Sequence, residues 1–111
     1  MEFLSICTVK DIFFTLPPAL CVQLMEASVA AVNQKKKEGV ILEIYAIPGW
    51  NRYAVICEHD SGEDIVRTLS AMPMGGLMNY EVYPLSDYNE AMKAHIEATK
   101  AAEKMMPSPP R

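Results

Sequence analysis

Residues 61 to 83, SGEDIVRTLSAMPMGGLMNYEVY, allow few folds, because they set a short helix, an abrupt turn and a strand in close succession. Ser61 offers a side-chain acceptor to the unpaired N–H groups of a helix N-terminus, and Glu63 and Asp64 complement the positive end of the helix dipole. Ile65, Leu69 and Met72, with Val66 beside them, recur at helical spacing. Pro73, Gly75 and Gly76 then end the helix and turn the chain. From Met78 to Leu85 the Tyr and Val content and the alternation predict a closing strand.

The rest of the chain supplies what this unit needs to pack against. Residues 2 to 10 alternate Phe3, Ser5, Cys7 and Val9 with Leu4, Ile6 and Thr8, as a central strand with apolar surroundings on both sides does. Residues 11 to 16 read as a loop, yet Ile12, Phe13, Phe14 and Leu16 make it apolar, so it either folds over a pocket mouth or packs against another subunit, and packing is the expectation. Pro17-Pro18 opens a long helix to about Glu38, with Gly39 as its C-terminal cap. Leu20, Leu24, Ala27 and Ala31 are its expected core stripe, with Ser28 and Val32 beside it. Residues 40 to 47 and 50 to 58 form a hairpin around Pro48-Gly49. Strict alternation sends Val40, Leu42, Ile44 and Ala46 toward the helices and Ile41, Glu43, Tyr45 and Ile47 to the other face. The element order is β-α-β-β-α-β, a ferredoxin-like α+β domain over residues 1–86 with a four-stranded antiparallel sheet. Residues 87–106 are rich in Ala, Lys, Glu and Met and predict an extra, amphipathic C-terminal helix, and residues 107–111 a disordered tail.

A chain of 111 residues with half of them hydrophobic builds one modest core. A four-stranded sheet with helices on one face leaves the other bare, so a homo-oligomer is expected. The net charge of −4 argues against a nucleic-acid partner, and Lys35, Lys36 and Lys37, the only basic run, suit the last turn of a helix. Cys7, Cys21 and Cys57 are odd in number and widely spaced, and read as buried thiols. No ligand spacing joins them to His59 or His95, so no metal is expected. The N-terminal stretch has neither a basic leader nor a long apolar run, so a cytoplasmic protein without a membrane partner is expected.

Ser61, Glu63, Ile65, Thr68-Leu69, Met72-Pro73, Met78 and Glu81-Val82, at these spacings, resemble the muconolactone isomerase family. The likeness is strongest over residues 59 to 83, stays in register over residues 9 to 58, and ends near Leu85. It implies a dimeric α+β barrel and assemblies larger than a dimer. It also implies a cofactor-free reaction that shifts a double bond in an unsaturated lactone by carrying a proton between carbons. In the family a glutamate on the first helix is the usual candidate base, and alignment through Pro18, Gln23-Leu24 and Glu38-Gly39 puts Ser28 there. A serine cannot act as that base unaided. Glu26 lies roughly 160° around the helix from Ser28, at about 100° per residue, and points away. The family's histidine after the hairpin glycine is replaced by Trp50. Relatives on the same scaffold include cofactor-independent monooxygenases and polyketide cyclases, so the fold selects no single reaction.

By alternation the face away from the helices carries Glu43, Tyr45, Asn79, Glu81 and Tyr83. Enclosed between two sheets, a carboxylate loses solvation and its pKa rises toward the range useful for proton transfer, which makes Glu43 and Glu81 candidate acids or bases. Tyr45, Tyr83 and Arg52 are candidate donors to an enolate oxygen. Trp50, Arg52 and Tyr53 follow the hairpin, where an Arg among aromatics suits either a carboxylate-bearing ligand or a subunit contact. Three readings follow. The first is an isomerase-like or cyclase enzyme acting on a small unsaturated cyclic acid or ketone through Glu43 or Glu81. The second is a module that holds a small aromatic or hydrophobic ligand without chemistry; Ser28, Trp50, Arg52, Tyr53 and Tyr83 are the candidate substrate-binding residues. The third is an assembly protein whose pocket is filled by its own side chains, methionines among them.

Overall fold

A central strand organises the computed structural model, which describes residues 1–49 and 51–106. This strand, β1 (Glu2–Val9), pairs antiparallel with β3 (Arg52–Glu58) on one side and β4 (Met78–Pro84) on the other. An edge strand, β2 (Ile41–Ile47), completes the antiparallel order β2-β3-β1-β4. Helices α1 (Pro18–Lys37) and α2 (Gly62–Ser70) lie on one face, and α3 (Tyr88–Met105) follows β4. This is the expected ferredoxin-like α+β arrangement with an extra C-terminal helix. Among the described residues no helix is long and apolar enough to cross a membrane. Trp50 and the expected tail, residues 107–111, lie outside the described residues.

The alternation of β1 separates two environments. Phe3, Ser5, Cys7 and Val9 are buried under the helices, whereas Leu4, Ile6 and Thr8 are half-buried on the open face. Ile41, Val55, Cys57, Ile65 and Leu69 join Phe3 and Cys7 in the main core. The local helix signals hold for α2: the Ser61 hydroxyl accepts from the Asp64 N–H at 3.2 Å, and Ile65 and Leu69 are its buried residues.

Three expectations need correction. In β2, Ile41 enters the core at 2% exposure and Leu42 is turned out at 37%. Ile41 pairs with Cys57 and Glu43 with Ile56, so Leu42 is an extra residue in a β-bulge. After the bulge the expected faces are restored, with Ile44 packed against the core. In α1 the inward stripe is Cys21, Leu24, Ser28, Ala31 and Val32, while Leu20 and Ala27 are exposed. Ser28 and Val32 are thus central to the contact rather than beside it. Residues 11–15 form a 3-10 helix, not a loop, and Phe13 is buried within its own chain against Val9 and Met74. Of the apolar residues there, Ile12 and Phe14 remain exposed.

The turn from α2 to β4 is tied by Gly75 and Tyr80. The Tyr80 hydroxyl lies 2.7 Å from the Gly75 carbonyl oxygen and 3.2 Å from that of Leu69, joining strand, turn and helix end. Gly75 passes so close to α2 that a Cβ there would clash with the Ser70 carbonyl oxygen. Burial, and then the charge of nearby Cys7, pushes the Tyr80 phenol from an ordinary 10.0 up to about 12. Burial, and again Cys7, pushes the Cys57 thiol from 9.0 to about 11.

Helix α3 stands away from this body. Of its residues only Ala91 is half-buried, and Met92 and Ile96 are exposed on its apolar side. The molecule is 72 Å long with a radius of gyration of 20.0 Å, against about 13 Å for a compact chain of this length.

Gly75→Ala is expected to lower unfolding free energy by about 2–3 kcal/mol, because backbone rather than a side-chain tip must move. Gly76→Ala, whose added Cβ meets nothing within 4 Å, serves as the control with little change, both read by urea denaturation. Stability should also fall with rising alkalinity. The unfolded chain releases the Cys57 and Tyr80 protons near 9.0 and 10.0 while the folded chain holds them to about 11 and about 12. The stabilisation is therefore complete below the unfolded values and is lost as pH climbs through the folded ones. Tyr80→Phe should flatten the upper part of that decline in a stability–pH series.

Candidate functional site

The helix face of the sheet holds a half-open cavity of about 70 Å³. Its wall on α1 is Ser28 and Val32, and its floor is Cys7, Ile41, Ile44, Tyr53 and Val55 from the first three strands. The α2–β4 turn closes the far side with Leu69, Met72, Met74 and Gly75, and β4 adds Met78 and Tyr80. The lining is overwhelmingly apolar, and it is assembled from every element of the α+β body except the 3-10 helix at residues 11–15.

Ser28 is the exception in that lining. Its Oγ is buried and has no hydrogen-bond partner among the described residues. A serine inside a helix commonly satisfies its hydroxyl on the carbonyl four residues earlier, and here it does not. An unpaired buried hydroxyl costs about 1–3 kcal/mol, which a ligand oxygen in the cavity would recover. The Tyr80 hydroxyl is already held by the Leu69 and Gly75 carbonyls. Tyr53 sits at the exposed side of the cavity, 36% accessible. The Cys7 thiol, 3.6 Å from the Ser5 hydroxyl, is pushed up by burial, with the Ser5 contact opposing, so it stays protonated at neutral pH.

The sheet divides the residues that the sequence singles out. Ser28 and Tyr53 face the cavity. The register puts Glu43, Tyr45, Arg52, Glu81 and Tyr83 on the open face. There the rows run Glu43–Ile56–Leu4–Tyr83 and Tyr45–Ala54–Ile6–Glu81. Glu43 and Glu81 lie on opposite edge strands, three strand spacings or about 14 Å apart, so within one chain they do not converge. The Tyr83 hydroxyl donates to Glu81 Oε2 at 3.1 Å, and this bond, followed by the carboxylate's charge, raises the Tyr83 pKa. Glu43, Tyr45, Glu81 and Tyr83 are all exposed, and Arg52 is half-buried. Trp50 lies outside the described residues. Sequence reasoning missed Cys7, Met72, Met74, Met78 and Tyr80 as cavity residues. The β1 alternation could have found Cys7, since it put that side chain under the helices.

Among the described residues no three His, Cys, Asp or Glu side chains gather as a metal site would require. His59 Nε2 lies 3.0 Å from the Thr68 hydroxyl, an isolated pair between the start and middle of the α2 region.

Comparison with known proteins agrees with this geometry. The family model of muconolactone delta-isomerase matches residues 1–91. The crystal structure of muconolactone isomerase superposes with a TM-score of 0.66 at 26% identity, covering 79% of this chain and 91% of that one. A 5-chloro-2-hydroxyhydroquinone dehydrochlorinase from Burkholderia phenoliruptrix, solved in complex with 2,5-dihydroxybenzoquinone, shares the fold. It aligns with a TM-score of 0.59 at 16% identity over 81% of this chain and 98% of that one. Compared by sequence with curated proteins, the chain finds no match. The match over residues 1–91, most of the chain, shows that this chain belongs to the muconolactone delta-isomerase family.

Proposed function

We propose that this chain seats a small unsaturated cyclic compound in the cavity beneath α1, and that the cofactor-free proton shift of its family takes place on that compound. The observation that carries this reading is the buried, unpartnered Ser28 hydroxyl in an otherwise apolar cavity. A donor held in apolar surroundings is placed to stabilise the oxygen on which charge develops when a neighbouring carbon loses a proton. Family membership supports the same class of small-molecule isomerase chemistry. Cavities of about 150 Å³ accept benzene, so a ring needs this cavity to widen. Met72, Met74 and Met78 on its walls are unbranched and adapt readily.

Ser28 supplies a donor but no base, so turnover in the cavity alone is expected to be slow. Ser28→Ala should weaken binding of an unsaturated ring ketone or lactone about 5–10-fold, the worth of one hydrogen bond, by calorimetry. Ser28→Glu puts a carboxylate into apolar surroundings that raise its pKa toward neutrality. It should speed deuterium exchange beside the ring carbonyl by at least roughly tenfold, within the range of a positioned general base. Unchanged binding in Ser28→Ala would remove the seat.

A second reading puts the proton carrier at Glu81, favoured by its hydrogen bond from Tyr83. It requires the open face to be enclosed, and loss of exchange in Glu81→Gln with Ser28→Ala unaffected would select it.

We also propose that a second copy covers that open face, where Leu4, Ile6, Ala54 and Ile56 form an apolar centre, and that the exposed side of α3 adds to the assembly. The three free cysteines fit a reducing, cytoplasmic setting. Native mass spectrometry should give multiples of the 12.4 kDa chain, and Ile6→Asp should shift the distribution to the monomer. A wild-type monomer at micromolar concentration would contradict the assembly.

A further inference from the structure

The charge that the cavity tolerates is a separate matter from whether it binds a ring. On the α1 side a ligand meets Ser28 and Val32, and on the strand side Ile41, Ile44 and Val55. No cationic side chain lines the cavity among the described residues. Arg52 is adjacent to the lining residue Tyr53 in sequence, but the pleat sends successive side chains to opposite faces. Its register with Thr8 and Ile47 accordingly puts it on the open face. Lys35, one turn beyond Val32 on α1, is engaged with Glu38 at 3.1 Å.

An ionised carboxylate entering such a site would give up its hydration with no opposite charge and a single hydroxyl in return, a loss that burial without pairing does not repay. A neutral carbonyl, enol or phenol needs only one partner, which is what Ser28 offers. Resting on the seat proposed above, we infer that the cavity selects neutral ring ketones, quinones or lactones and excludes their carboxylate-bearing or otherwise anionic counterparts. Among the described residues the Ser28 hydroxyl is the buried side-chain polar group left without a partner, and it sets this specificity. Tyr80, the other inner hydroxyl, is committed to two backbone carbonyls.

The test compares two rings of one size on the wild-type full-length chain. Cyclohex-2-enone is neutral throughout, whereas cyclohexane-1,3-dione is a vinylogous acid that ionises in weakly acidic solution. Binding is followed through the methyl resonances of Met72, Met74 and Met78, which line the cavity, at about pH 5 and about pH 8, on either side of the ionisation of an acidic ligand. The enone should bind equally at both. The dione should bind within about tenfold of the enone at the lower pH and at least roughly 30-fold more weakly at the higher one, a penalty of about 2 kcal/mol at 1.4 kcal/mol per tenfold. A dione that shows no such loss, whatever its affinity, while the enone binds, overturns the selection for neutral ligands and leaves the seat standing. An enone that moves none of the three methionine resonances removes the seat itself, and the selectivity falls with it.

Discussion

The packing of the α2–β4 turn under a single tyrosine hydroxyl is the constraint from which the rest of the site follows. Tyr80 extends from β4, opposite Cys7 on the central strand, and reaches the carbonyls of Leu69 and Gly75. That contact holds the end of α2 against the sheet. It is possible only because Gly75 lacks a Cβ, since any side chain would meet the Ser70 carbonyl. Met72 and Met74, between the two tied points, are thereby held over the sheet as the far wall of the cavity. A looser turn would leave these methionines free to move into the space that Ser28 and Val32 line from α1. The cavity is thus a product of backbone fixation rather than of large side chains propping the layers apart.

The second constraint is the pleat of β1. With both of its neighbours antiparallel and in register, each residue type on this strand is matched to one face of the whole sheet. Carboxylates at Glu43 and Glu81 fall on one side and the Ser28 cavity on the other. A substrate in the cavity cannot reach those carboxylates through a four-stranded sheet, so chemistry in the cavity depends on groups that face it. Chemistry at Glu81 depends on whatever encloses the open face. This separation follows from covalent alternation and is not altered by small movements of either helix.

Much of this was legible where the determinants are local. The Ser61 cap, the Ile65–Leu69 spacing and the Pro73–Gly76 turn specify α2 and its exit within a span of some sixteen residues, and the faces of β1 and β4 follow from period two. The bulge at Leu42 was not legible, because Leu42 and Ile41 are equally apolar and only the register against Cys57 and Ile56 decides which one enters. The phase of α1 was ambiguous for a similar reason. Its apolar residues surround most of the helix, with Val22, Met25 and Val29 exposed on the outside, so the pattern alone favours no single stripe. The same ambiguity hid the importance of Ser28. Only the sheet surface beneath α1 identifies its inward side.

The unpaired Ser28 hydroxyl bears on whether the cavity is a packing defect. A defect would be resolved at little cost, since alanine at the same place is a better helix former and leaves no buried oxygen without a partner. Valine would fill some of the space at only a slight cost in helix propensity. The chain instead carries a polar group that destabilises the empty fold, in a cavity whose adjacent hydroxyl, that of Tyr80, is consumed in fixing the backbone. The two hydroxyls differ in what they do for the folded chain alone: one closes the structure and the other gains a partner only when something else enters. An arrangement of this kind is costly to folding and useful to binding, which is the direction in which functional sites depart from the most stable sequence. The serine also determines the chemistry available there, because a hydroxyl can polarise an oxygen but cannot carry away a proton at neutral pH.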